Sequence, residues 1–198
     1  MGVSVKSTAK SETPMGGSDQ DAKNKVLSLA IVALFLGVVG TVYILYYIGI
    51  FSTVKVQKIV TPGYQFAYVE HKGPYDKIDL VFKRLKETAK DMSVSTSTPA
   101  AIFLDDAGKV SPEKQRSKIG FMVRKFDQIP GGMLLEELAP STVLQGVFQG
   151  SAMIGSYKAY SAMKEWCMQN GYQPLLPAME IYHEDGSVEY QLRIVEKG

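Results

Sequence analysis

Between Val26 and Phe51 the chain runs for 26 residues without an Asp, Glu, Lys or Arg, and no other feature of the 198-residue sequence restricts its folding as much. A helix rises about 1.5 Å per residue, so the run is long enough to cross a hydrocarbon core of roughly 30 Å with room for tilt. Ser28, Thr41 and three glycines are tolerable in such a helix, and Tyr43, Tyr46 and Tyr47 stand near one end, where interfacial aromatics belong. A cleaved signal peptide fits poorly, because a polar leader precedes the run, the run exceeds the roughly 7–15 residues of an h-region, and no A-x-A site closes it. A helix of a soluble core would be apolar on one face only.

The sequence therefore predicts a disordered polar tail over 1–24, a transmembrane helix over 25–51 with membrane contact through residues 26–51, and one folded domain over 52–198. Lys6, Lys10, Lys23 and Lys25 precede the span, whereas only Lys55 and Lys58 follow closely. The positive-inside rule then leans towards a single-pass protein with an extracytoplasmic domain.

The 147 residues after the span carry 18 Lys and Arg against 17 Asp and Glu. Nucleic acid is not the expected partner, because a phosphate-binding surface needs a clustered positive excess. "KQRSK" at 114–118 reads as a solvated loop. The single Cys167 excludes an internal disulfide and a cysteine metal cage, and no G-x-S-x-G, Walker or H-E-x-x-H motif occurs.

Punctuation in this region repeats. Pro62 answers Pro140, Pro99 answers Pro177 and Gly108 answers Gly186, each 78 residues apart, and "PAAIFLDDAG" (99–108) parallels "PAMEIYHEDG" (177–186). Each copy reads as a strand ("YQFAYVEH", "TVLQGVFQ"), a Gly turn and a helix. In the first helix Ile78, Val81, Phe82, Leu85, Ala89 and Met92 recur at helical steps; in the second Met153, Tyr157, Tyr160, Met163 and Cys167 do. Two strands close each copy ("AAIFL", "KIGFMV"; "MEIY", "VEYQLRIV"), and a further strand precedes it ("VKVQKIV", "GMLLEEL"). The fold class is α+β: two tandem βαββ modules, about 54–126 and 127–198, with pseudo-two-fold symmetry around a central cleft on the face the helices leave open, preceded by one transmembrane helix.

"HKGPYDKI", "DDAGKVSPEKQRSKIGFMV" and "PAMEIYHEDGSVEYQLRIVEK" resemble the GyrI-like, or bacterial effector-binding, domain over about residues 54–197. The most specific pieces are H-x-G-P-Y, P-E-K-x-R-S-x-I-G-F and E-I-Y. A membrane helix ahead of such a domain is similar to an animal ER-phagy receptor that carries one. The resemblance implies a cleft for hydrophobic, often cationic, small molecules, with the Glu of E-I-Y, here Glu180, as its polar anchor, or as acid/base in hydrolytic members. No helix-turn-helix stands in residues 1–52, which weakens a transcription-factor reading.

Glu180 also stands out on its own. It interrupts an apolar strand where the first copy has Ile102, and a carboxylate facing an apolar cleft costs several kcal/mol unless paired, hydrogen-bonded or protonated. The alternative is a register that turns it to solvent. Tyr182 shares its strand face, and Tyr68, Tyr157, Phe121 and Trp166 are further candidates for aromatic walls suited to a flat or cationic ligand. His71 and His183 admit a haem reading, but they lie at non-equivalent strand ends, with no carboxylate at metal-ligand spacing; His71 is expected to make a turn hydrogen bond. No cofactor is expected. The functions left open are a small-molecule binding module, a small hydrolase using Glu180 with Tyr157 or Tyr182, and an adaptor whose surface binds a protein partner.

Overall fold

The computed structural model describes residues 17–91, 98–124 and 129–197. It divides into two units, Met1–Ile44 and Leu45–Gly198. The first contains most of helix α1, Gly17–Tyr47. Its segment Lys23–Tyr47 is long and apolar enough to cross a membrane, and side chains such as Leu29, Leu34 and Phe35 are exposed. The tail expected to lack structure is helical from Gly17 onward, and residues 1–16 lie outside the described residues. The helix also stops before Phe51: residues 48–51 form a turn, in which Gly49 takes a left-handed conformation (φ 83°).

In the second unit eight strands form one antiparallel sheet: β1 Lys55–Val60, β2 Tyr64–Lys72, β3 Pro99–Phe103, β4 Arg116–Val123, β5 Leu134–Leu138, β6 Thr142–Gln149, β7 Tyr172–Tyr182 and β8 Ser187–Glu196. Their order is β1-β6-β8-β7-β3-β4-β2-β5. Helix α2, Ile78–Asp91, follows β2, and α3, Ala152–Asn170, follows β6. Exchanging each strand for the one four places along reverses this order and otherwise leaves it unchanged. The offset of 78 seen in the sequence also carries the pair Val60–Thr142 onto Leu138–Tyr64, and Ala101–Glu180 onto Met179–Ile102.

The apolar residues divide between the faces of the sheet. On one face α3 lays Gly155, Ala159, Met163 and Cys167 against Leu144, Phe148, Ala178, Val188, Tyr190 and Leu192. On the other, Phe66, Tyr68, Ala100, Ile102, Met179 and Ile181 form a second buried cluster. No helix is needed to cover that cluster, because the sheet curls over it. Gln191 of β8 donates to the Tyr64 hydroxyl of β2 at 3.2 Å, although three strands intervene and a flat sheet would hold the two strands roughly 19 Å apart. That face, where the sequence places a groove, carries this buried cluster.

The strands predicted from alternation are present. The α2 stripe Ile78, Val81, Phe82, Leu85 and Ala89 faces inward, while Met92 and the expected boundary near 126 lie outside the described residues. Two segments differ. Only the first two residues of "KQRSK" lie outside a strand: Arg116 opens β4 and its guanidinium makes two bonds to Asp105 (3.0 and 2.7 Å), while Lys118 pairs with Glu136. Strand β7 begins at Tyr172 rather than near Met179. Its prolines fit because Tyr172–Leu175 pair with β8 alone, with a register shift between Leu175 and Ala178, and a proline is tolerated where one neighbour is missing.

Candidate functional site

Glu180 sits near the C-terminal end of β7, between Tyr190 of β8 and Ala101 of β3. Its side chain points to the helix-covered face, opposite to the expectation, and the residue is 4% exposed. Alternation along β7 accounts for this: Ala178, Glu180 and Tyr182 share the face that meets α3, and Met179 and Ile181 join the opposite cluster.

Three hydroxyls surround the carboxylate: the two tyrosines donate to it, and the single Ser156 proton is shared between it and the Ala152 carbonyl at 2.9 Å. Ser156 and Tyr160, four residues apart and so on one side of α3, reach Oε1 at 3.2 and 3.0 Å, and Tyr182 reaches Oε2 at 2.9 Å. Helix α3 can come this close because residue 155 is glycine: a Cβ there would lie 2.4 Å from the Tyr190 hydroxyl. That hydroxyl donates to the Ala152 carbonyl at 3.0 Å. Its ring meets Tyr160 edge-on at 5.7 Å, and Phe82 of α2 meets Tyr182 edge-on at 5.4 Å. The carboxylate is thus held by the Tyr160 and Tyr182 hydroxyls with Tyr190 paired beside it on β8, and Phe82 of α2 backs the Tyr182 ring.

Glu180 has no ion-pair partner among the described residues. Burial makes it a weaker acid, so that its pKa lies above the ordinary carboxylate value, and the hydrogen bonds of Tyr182, Tyr160 and Ser156 offset part of the change. The Tyr160 and Tyr182 hydroxyls are driven well above the usual tyrosine value, first by burial and then by the neighbouring Glu180 charge. Tyr190 moves up for the same reasons. These tyrosines remain neutral donors at physiological pH, and Glu180, when ionised, is an anion without a cationic partner among the described residues, in an aromatic surround. That arrangement suits a cation with apolar substituents, through charge attraction and the negative faces of the rings.

Of the residues singled out in the sequence, Glu180 and Tyr182 come together. Tyr157 does not join them: it is 78% exposed on the outer side of α3. Met153 is equally exposed, so the buried stripe of α3 runs through Gly155 and Ala159 instead. Small residues let the helix approach the sheet, and the larger ones face away. Tyr68 lies in the cluster on the opposite face, stacked on Phe66 at 5.5 Å. Phe121 is buried on β4. Trp166 packs on Tyr172 at 5.5 Å, six residues beyond Tyr160 on α3 and so roughly 9 Å further along its axis. Ser156, Tyr160 and the role of Phe82 were missed; the i, i+4 spacing of two hydroxyl residues on one helix was the available signal.

The histidines are placed apart from this group. His183 Nε2 lies 3.4 Å from Glu189 Oε2. His71 pairs across strands with Ser117, and His71 Nε2 and Ser117 Oγ are both buried without a partner, in place of the expected turn hydrogen bond. No cluster of three or more metal-ligating side chains occurs among the described residues.

Solved structures share this fold at low sequence identity. EcmrR in its cryo-EM complex with DNA superposes with a TM-score of 0.57 at 14% identity, covering 91% of this chain and 69% of EcmrR. SAV2435 bound to tetraphenylphosphonium gives 0.50 at 10% identity, covering 71% and 94%. A hydrolase encoded by lin2189 of Listeria innocua gives 0.50 at 14%, covering 71% and 92%. At such identities the likeness concerns the fold alone, and no curated protein matches the sequence. The profile of the GyrI-like small molecule binding domain matches residues 54–195, most of the chain and nearly all of its folded domain, and the chain belongs to that family.

Proposed function

We propose that this protein is a membrane-anchored receptor for apolar cations, which bind between the sheet and its two helices with the positive charge against Glu180. The observation that carries the reading is a buried carboxylate with three hydroxyl neighbours, no cationic partner among the described residues, and Tyr160, Tyr182 and Tyr190 beside it. A fold has little use for such a group, since burying an uncompensated charge costs several kcal/mol. A cationic ligand supplies the missing charge. Because Glu180 is closed to solvent, entry requires the Phe82–Tyr182 edge contact to open, and the displaced rings become walls of the occupied cleft. The shared offset of 78 in sequence and strand register supports two duplicated modules as the origin of the two helical covers. Membrane anchoring rests on Lys23–Tyr47.

Titration of the purified domain with tetraphenylphosphonium, the ligand named for SAV2435, and with neutral triphenylphosphine oxide tests the reading. The cation should bind more tightly, with quenching of tyrosine fluorescence. Equal binding of both, or of neither, contradicts it. A second reading, hydrolysis of an electrophile with Glu180 as base, draws on the tyrosine hydroxyls that touch the carboxylate. Turnover of reactive electrophiles that is lost in Glu180→Gln would favour it over passive binding.

A further inference from the structure

The turn that ends α1 is fastened to the start of α3. The Ser151 amide donates to the Ile48 carbonyl at 3.2 Å. Lys158 Nζ donates to the carbonyls of Gly49 (3.1 Å), Ile50 and Ser52 (2.8 Å). A lysine bound to three main-chain carbonyls uses all its donors, and residues 48–52 and the first two turns of α3 consequently form one rigid corner within the second unit.

That corner is unusually apolar on its outside. Met153 and Tyr157 are each 78% exposed, and Phe51 is 64% exposed. Met153 and Tyr157 are four residues apart and share one side of the helix. Further along, that side turns polar at the exposed Ser161, Lys164 and Glu165, which separate Met153 and Tyr157 from the exposed Met168 near the far end of α3.

We infer that the outer face of the first two turns of α3, with Met153, Tyr157 and Phe51, lies in the lipid headgroup and upper acyl region of the membrane that α1 spans. The inference rests on the anchoring reading and goes beyond it. If α1 crosses a membrane, residues just past Tyr47 stand at headgroup depth, and the Lys158 and Ser151 contacts bring α3 to that depth with them. Methionine and aromatic side chains on one helical face then bury in lipid what they would otherwise expose to water. Ser156 and Tyr160 point the other way, to Glu180, so the same helix separates the carboxylate from the bilayer.

The test uses spin labels on the full chain in phosphatidylcholine bilayers. Met153→Cys and Tyr157→Cys are labelled, with Glu113→Cys as an exposed site elsewhere on the domain and Leu36→Cys as a site within α1. Cys167 is buried and stays in place as an unlabelled residue. Collision with oxygen, which concentrates in lipid, is compared with collision with a water-soluble nickel chelate. The expected ratio of oxygen to nickel accessibility is above one at 153, 157 and 36, and below one at 113. A ratio below one at 153 and 157 with lipid contact retained at 36 overturns the inference while leaving the anchor in place. Loss of lipid contact at 36 overturns both. Accessibility to neither reagent at 153 and 157, with dipolar broadening between labels, would show a second copy covering the face and equally overturns it.

Discussion

Glu180→Gln separates the charge of the candidate site from its shape. Glutamine keeps the volume, and its carbonyl can accept from Ser156 and Tyr160 as Glu180 Oε1 does at 3.2 and 3.0 Å. Its amide can donate to Tyr182, whose hydroxyl then serves as acceptor, so the fold should survive. What disappears is the attraction for a cation. At about 5 Å from the charge and an effective dielectric of about 20, that attraction is roughly 3 kcal/mol, or about two orders of magnitude in affinity. Calorimetric titration should therefore show tetraphenylphosphonium binding weakened about a hundredfold in the variant, with neutral triaryl compounds bound as before. Because protons compete with the cation for a carboxylate whose pKa is raised by burial, wild-type affinity should climb with pH until that raised pKa is passed, and the variant should be flat. An unchanged preference for the cation in Glu180→Gln refutes the electrostatic argument, whatever the absolute affinity.

The same group shapes stability without ligand. A carboxyl whose folded pKa lies above its unfolded value binds its proton more tightly in the folded state. Its contribution is therefore most favourable below the ordinary carboxylate range and declines as pH rises through the folded pKa. Denaturant melts should show Glu180→Gln gaining on wild type as pH rises through that window, by about 1.4 kcal/mol for each tenfold difference between the folded and unfolded acidity constants; parallel curves would contradict it. Ser117 buries a hydroxyl without a partner, so Ser117→Ala should leave stability equal or raise it by about 1 kcal/mol, and a clear loss would mean the hydroxyl is bonded after all. Gly155→Ala places a methyl 2.4 Å from the Tyr190 hydroxyl and should cost about 1–3 kcal/mol in a thermal melt; a neutral result would contradict the close seating of α3.

Strands and α2 were legible because alternation and helical recurrence are local properties of the chain. The N-terminal half of α3 was not. Its large residues Met153 and Tyr157 mimic a core stripe, and only the closeness of the sheet decides that Gly155 and Ala159 take that role. The face of Glu180 was misjudged for a related reason. Strand alternation puts Glu180 and Tyr182 on one side, but which side meets the helices depends on the curl that brings Tyr64 to Gln191 across three strands. Helix α1 was read as ending at Phe51, since composition cannot see the turn that Lys158 stabilises from more than a hundred residues away. The prolines of β7 hid its first half, because their tolerance there depends on β3 being too short to reach them.

The most direct measurement follows the Glu180 carboxyl itself, by carbon NMR of protein labelled at glutamate side chains, through a pH titration with and without tetraphenylphosphonium. Binding of the cation against this group predicts a resonance that titrates above the ordinary glutamate range in the free protein and moves down in pH when the ligand is added. A Glu180 signal that titrates like an exposed glutamate, or that ignores the cation while the ligand is bound, would contradict the account.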